Sequence, residues 1–329
     1  MSRSSPPRSG ARVTAPSVRP TRQDASPDRI SPRGLSPRRP RGSSVSGWVF
    51  VAPALVAYAA FVLWPIIQTV RYSFYYWDGV GPAQPAGWAN FRTVFTNSQL
   101  LGVIGHSFEL ILFFSVVPIV IGLAVASVMR RFVRSRIGAI ARVVLFLPQV
   151  VPLVAAGIAW NWMLSSTGAV DELLQKIGLG SLSQAWLGGF STALPSVGVI
   201  GAWVLLGLCI VLLLAGMTKI DASLYEAAEL DGAGAVREFF SITLPGIRQE
   251  IGVCVTVTVI AALSAFDIVY ISTQGGPGTA TMVPGMEIYQ LAFYNRQMGL
   301  ASALAVVLML LVLVCLVPIQ WVVRRGAER

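Results

Sequence analysis

Six long apolar runs separated by shorter polar stretches set the pattern of this chain, at residues 47–70, 107–129, 140–164, 194–216, 248–273 and 300–323. Each is close to the ~20 residues that a helix needs to cross about 30 Å of hydrocarbon. None alternates with a period of two, and only helices or closed barrels satisfy their own backbone in lipid. The pattern predicts an all-α integral membrane protein with six transmembrane helices spread over residues 47–325. Pro53, Pro65, Pro118, Pro148 and Pro152 fall inside these runs, where neighbouring helices can cover the carbonyls that proline frees.

Between the fourth and fifth runs the pattern changes. Residues 221–245 carry Asp221, Glu226, Glu229, Asp231, Arg237 and Glu238, too many charges for a segment that crosses a bilayer. Ser223 and Glu226 stand at capping-box spacing, which predicts a helix starting at Ser223. Leu224, Ala227 and Ala228 continue it as far as Gly232, whose tolerance of positive φ predicts a turn. A second short helix fits Ala235 to Thr243, with Phe239, Phe240 and Ile242 apolar and Pro245 closing it.

The polar ends of the runs give an orientation. With the N-terminus cytoplasmic, 21 of the 25 lysines and arginines fall on the cytoplasmic side, leaving Arg71, Arg92, Lys176 and Arg296 outside. By the positive-inside rule both termini and the 221–245 loop are then cytoplasmic, and the aromatic cluster Tyr72, Phe74, Tyr75, Tyr76 and Trp77 lies at the outer interface. Residues 1–46 are rich in serine, proline and arginine. They predict a disordered basic tail, drawn to anionic headgroups. A cleaved signal peptide is the competing reading, and the length of both the tail and the run behind it argues against that.

Composition agrees with the pattern. Of 329 residues, 54% are hydrophobic and 12% charged, against about 25% charged in soluble domains. The net charge of +10 comes from the tail and from loops beside the runs, and no aromatic-basic interleaving points to nucleic acid. Cys209, Cys254 and Cys315 lie inside apolar runs, where they read as packing residues. His106, the single histidine, sits at the edge of a run and reads as interfacial. No catalytic residue, cofactor or metal site is predicted. No phosphate loop surrounds Lys176 or Lys219, so the chain cannot hydrolyse ATP alone.

The loop resembles the EAA loop of ABC importer permeases: Glu226-Ala227-Ala228, three residues, Gly232, and then Leu244-Pro245. Asp231-Gly232-Ala233 with Phe239 and Ile242 is most similar to the sugar branch of that family. So is Gly275-Gly276-Pro277-Gly278 followed by Thr279, Thr281, Tyr289–Phe293 and Met298–Ala303. The resemblance covers roughly residues 48–325. It implies a sugar permease subunit that forms half of a pore with a second permease chain, a homologue in a heterodimer. Its other partners would be two ATP-binding-cassette ATPase subunits and an extracytoplasmic sugar-binding protein. The resemblance also implies that Glu226, Ala227, Ala228, Asp231, Gly232, Phe239, Phe240 and Pro245 form the coupling helix that meets the ATPase. An amphipathic helix lying on the membrane is the plainer alternative for this stretch. A peptide or amino-acid importer branch, or an ion-coupled carrier, is the alternative for the whole chain. The absence of Asp and Glu from the middle of the runs counts against the carrier.

For the family's mid-membrane sugar site, the fifth run offers Thr256, Thr258, Ser264 and Asp267, with Tyr270 above them and Phe266 or Trp203 as a stacking face. Ser264 and Asp267 are three apart and are expected to share a helix face. The competing expectation is that these hydroxyls bond to carbonyls of their own helix or to neighbouring helices. Gln149 and Asn161 are further polar positions, with packing or interface roles expected.

Overall fold

The computed structural model describes residues 44–327, and side chains over 48–323. The expectation of a disordered tail therefore lies outside the described residues, except that helix already begins at Ser44. The chain divides into two units, 1–54 and 55–329.

Among the described residues the secondary structure is helical apart from one two-stranded hairpin, in which Tyr75-Tyr76 pairs antiparallel with Gln84-Pro85. We number the helices α1 Trp48–Tyr72, α2 Ala89–Thr96, α3 Ser98–Arg130, α4 Arg136–Val150, α5 Leu153–Met163, α6 Ala169–Lys176, α7 Ala193–Met217, α8 Ala222–Leu230, α9 Ala235–Gly246, α10 Arg248–Leu263, α11 Asp267–Ser272, α12 Pro284–Tyr289 and α13 Met298–Ala327. Four of them, α1, α3, α7 and α13, are long and apolar enough to cross a membrane. Two bent pairs, α4 with α5 and α9 with α10, raise the count to as many as six.

The bends correct the expected runs. The third run, expected unbroken over 140–164, turns through 96° between α4 and α5. Val151 there is extended at ψ 126° ahead of Pro152, as the residue before a proline prefers. The fifth run, expected unbroken over 248–273, stops at Leu263, and α11 starts afresh at Asp267. Ser264 and Asp267 therefore do not share a helix face. The second run starts earlier than expected, at Ser98, because Asn97 caps it by accepting from the Gln99 and Leu100 amides.

Three of the prolines inside helices leave the same trace. Three five-residue π turns, Ala59–Leu63, Leu112–Val116 and Phe239–Thr243, each precede a proline (Pro65, Pro118, Pro245) by one intervening residue. That residue donates its N–H to the carbonyl five back: Trp64 to Ala59, Val117 to Leu112, Leu244 to Phe239. The widened turn takes up the missing donor and the bulk of the proline ring.

α7 is the centre of the bundle. Of its most apolar 18-residue window 67% is buried, against none for α1. Glycines let its neighbours close in. A Cβ at Gly201 would stand 2.0 Å from the Phe114 ring of α3, and one at Gly207 would stand 2.5 Å from the Leu145 carbonyl of α4. Such small-residue contacts are the usual means of packing helices in lipid. Val197, Ile200, Ile210 and Leu213 on α7 are fully buried against Leu110, Phe114, Ile119 and Ala126 of α3 and against Ala262, Val269 and Cys254 beyond. The Thr258 hydroxyl of α10 donates to Ser115 Oγ of α3 at 2.7 Å, and His106 on α3 bonds through Nδ1 to the Met282 carbonyl at 2.8 Å.

Candidate functional site

The 221–245 loop folds as an elbow. Its first limb, α8, is capped by Asp221, whose carboxylate accepts from the Ser223 amide at 3.0 Å. The cap is thus two residues ahead of the expected Ser223, and the capping box with Glu226 does not form. Aspartate caps as well as serine does, and from position 221 it gives α8 an earlier start. The Ser223 amide and hydroxyl hold the Asp221 carboxyl below its ordinary range.

The limb ends as the glycine requires. Gly232 has φ +75°, its N–H donates to the Glu229 carbonyl at 3.0 Å, and the Ala233 N–H donates to the Ala228 carbonyl at 2.9 Å. These two bonds are the pair that closes a helix through a left-handed residue. The second limb, α9, runs from Ala235 through the Phe239–Thr243 π turn to Gly246. Pro245 does not end it as expected, because the π turn admits the ring. The limb ends instead at Ile247, where the chain bends 70° into α10.

Most of the elbow's expected contact residues lie on its surface. Glu226, Ala227, Asp231, Gly232, Phe240 and Pro245 are exposed, while Ala228 and Phe239 are half-buried. Leu230 is 89% exposed, Val236 73% and Phe240 61%, so both limbs present uncovered apolar groups. The opposite side is anchored. Tyr225 and Glu238 are buried, the Tyr225 hydroxyl meets Thr243 Oγ1 at 3.0 Å, and Arg130 at the end of α3 reaches both limbs. Lys219 Nζ pairs with Glu250 at 2.9 Å just outside the elbow. Sequence reasoning used Arg130 only as a topology charge and passed over Tyr225. An arginine 95 positions before Tyr225 carries no local signal of this contact.

A second candidate region lies at the interruption of the fifth run. A cavity of about 250 Å³ is lined by Gln149, Ser264, Phe266, Asp267, Phe114 and Gly201, among others. Of the expected pathway residues it brings together Ser264, Phe266 and Asp267, while Tyr270 stacks on Phe266 with centroids 5.4 Å apart. The threonines are elsewhere. Thr256 donates to Gly252 O and accepts from Gln320, and Thr258 is fully buried between Ser115 and the Cys254 carbonyl. Trp203 packs edge-on to Trp160 at 5.6 Å, and Asn161 donates to the Ser272 carbonyl at 3.4 Å. Gln149, expected to pack, lines the cavity, and its Oε1 is buried without a hydrogen-bond partner among the described residues.

Residues 118–326 match the model of the binding-protein-dependent transport system inner membrane component family. The chain belongs to this family. Among the permease's curated relatives, the probable ABC transporter permease protein YurN of Bacillus subtilis is 34% identical over 268 residues, 81% of this chain and 91% of that protein. The diacetylchitobiose uptake system permease protein NgcF of Streptomyces coelicolor is 33% identical over 80% of this chain and 78% of its own length. The sulfoquinovosyl glycerol transport system permease protein SmoG of Agrobacterium fabrum is 29% identical over 81% and 86%. The permease also shares its fold with a chain of a crystal structure of a bacterial ABC transporter involved in alginate import. The TM-score is 0.70 and the identity 24%, covering 85% of this chain and 96% of that one. A second alginate transporter structure, in complex with a pentasaccharide-bound periplasmic protein, gives a TM-score of 0.72 at 22% identity over 85% and 94%.

Proposed function

We propose that the permease is half of the translocation pore of an ATP-driven importer for a sugar or sugar derivative. A second permease chain completes the pore, two ATP-binding-cassette subunits drive it, and an extracytoplasmic binding protein delivers the substrate. The observation that carries the coupling role is the elbow: two limbs fixed by the Asp221 cap and the Gly232 turn, anchored on one side and offering Leu230, Val236 and Phe240 on the other. An apolar face held at a set angle is what a groove on a partner can grip. The relatives named for diacetylchitobiose and sulfoquinovosyl glycerol uptake support the substrate class.

In this reading the chain crosses the cell membrane six times, with α4–α5 as the third crossing and α10–α11 as the fifth. Both termini and the elbow are cytoplasmic, and ATP-driven closure of the cassettes rocks the bundles between inward-open and outward-open. The sugar passes the cavity at the 264–266 interruption. There Gln149, Ser264 and Asp267 pair with its hydroxyls, and Phe266, backed by Tyr270, covers its apolar ring face.

The test begins with topology. A reporter active only outside the cytoplasm is expected to work when fused after Gly278 and to be silent after Gly234. With the partners co-expressed, the complex should take up labelled sugar at the expense of ATP. The reverse reporter pattern would refute the coupling role, since an external elbow cannot meet an ATPase.

A further inference from the structure

The Arg130 guanidinium stands where three parts of the permease meet. It belongs to the last turn of α3, where a cation is favoured by the helix C-terminus. Its Cζ lies 3.5 Å from the centroid of the Tyr225 ring on α8. Its Nη2 lies 3.7 Å from Glu238 Oε2 on α9. One flat cation thus stacks on the first limb of the elbow and neutralises the second. A planar guanidinium can do both at once, whereas a lysine ammonium on a flexible stem cannot. The Glu238 side chain is 8% exposed, so its charge depends on this partner far more than a surface pair would.

The surroundings make the contact a strut. Beside Arg130 a cleft of about 400 Å³ separates the end of α3 from α9, with Ser127 and Phe132 on one wall and Ala235 and Phe239 on the other. Arg130 and Glu238 both line this cleft. The backbone ties the elbow to α7 and α10, its neighbours in the chain, whereas α3 ends at Arg130, far earlier in the sequence. α3 in turn packs along α7 at the centre of the bundle.

We propose that Arg130 is a positioning residue that fixes the angle between the two limbs and delivers movement of the elbow to α3. The proposal rests on the coupling role argued above. Loss of the guanidinium leaves the outer apolar face able to find its partner but lets the elbow swing into the cleft without moving α3. Binding of the ATPase and conversion of its stroke into transport therefore come apart.

The experiment uses the whole complex, with the second permease chain, the ATPases and the binding protein, reconstituted in vesicles. ATPase retention, ATP hydrolysis and labelled sugar carried per ATP are measured for wild type, Arg130→Lys and Arg130→Gln. For Arg130→Gln we expect ATPase retention within about twofold of wild type and sugar carried per ATP lowered by about tenfold or more, within the range of a coupling between two sites. Arg130→Lys, which keeps the charge toward Glu238 without the flat stack, should recover part of that ratio. An unchanged ratio in Arg130→Gln overturns the proposal. Should that variant fail to assemble, Arg130→Lys carries the test, and a wild-type ratio there overturns it equally. Failure of the wild-type chain to retain any ATPase would instead remove the coupling role itself, which separates the two outcomes.

Discussion

Replacing Gly232 by valine isolates the shape of the elbow from its packing. The residue sits at φ +75°, and a Cβ built there meets nothing within 4 Å. The substitution therefore adds no clash, and its whole cost is the left-handed backbone, about 1–2 kcal/mol for a residue with a Cβ. That energy changes the ratio of correctly bent to misbent elbows by roughly 5- to 30-fold. The limbs themselves should persist, because Asp221 still caps α8 and α9 forms beyond Gly234. We expect Gly232→Val to insert at near-normal levels, to lose ATPase in co-purification from detergent, and to lose uptake of labelled sugar. Gly232→Asn, which tolerates the left-handed region, should retain much of both. The contrast is Gly252, where a Cβ would stand 2.1 Å from Val323 Cγ2, so that Gly252→Val should reduce the amount of folded protein instead. Undiminished uptake by a well-inserted Gly232→Val would refute the argument that the angle of the elbow matters.

Two further outcomes follow from the caps and the loops. Asp221→Ala should raise hydrogen exchange at the Ser223 and Leu224 amides by roughly three- to tenfold, while Ser223→Ala leaves most of the protection; a larger effect from Ser223→Ala would restore the serine as the cap. Asp171, buried at the start of α6, accepts from Ser183 at 2.6 Å and from the Trp186 indole at 2.7 Å, and these bonds hold its carboxyl below the ordinary range. Its contribution is present above the unfolded value of about 3.9 and is lost as pH falls through the depressed folded value. Acid titration of tryptophan fluorescence should show a step that Asp171→Asn abolishes, and persistence of the step in that variant would refute the assignment.

The sequence made the helices legible because hydropathy is a sum over many residues, and 194–216 and 300–323 differ from α7 and the apolar part of α13 by at most two positions at either end. Breaks depend on single residues and are harder to read. Pro152 signals the α4–α5 bend in hindsight, whereas Ser264-Ala265-Phe266, where the fifth run is interrupted, contains neither glycine nor proline. The cap of α8 was misplaced because Asp221 and Ser223 are equally good cappers two residues apart, and local pattern cannot choose between them. Gly232 was legible because the left-handed residue that closes a helix is one glycine supplies without a Cβ penalty. Arg130 and Gln149 were not, since their roles come from contacts between distant segments.

The π turn of α3 has a consequence for phase. Buried positions along this helix step by three and four from Leu100 through Val103, Ser107 and Leu110 to Phe114, double to Phe114-Ser115 and Pro118-Ile119 across the π turn, and go on by three and four through Gly122 and Ala126 to Met129. Each residue of an α-helix advances about 100°. In a uniform helix Ile119 would stand about 140° round from Phe114, five residues on. The widened turn at 112–116 absorbs the surplus residue and returns Ile119 to the side that Phe114 faces. Deleting the surplus residue from that turn would leave a uniform helix with Ile119–Met129 still facing the bundle centre, whereas the same deletion elsewhere in α3, with the π turn kept, would rotate them by about 100° and carry Arg130 away from the elbow. The proline at 118 thus marks the place where the register of the inner half of α3 is set.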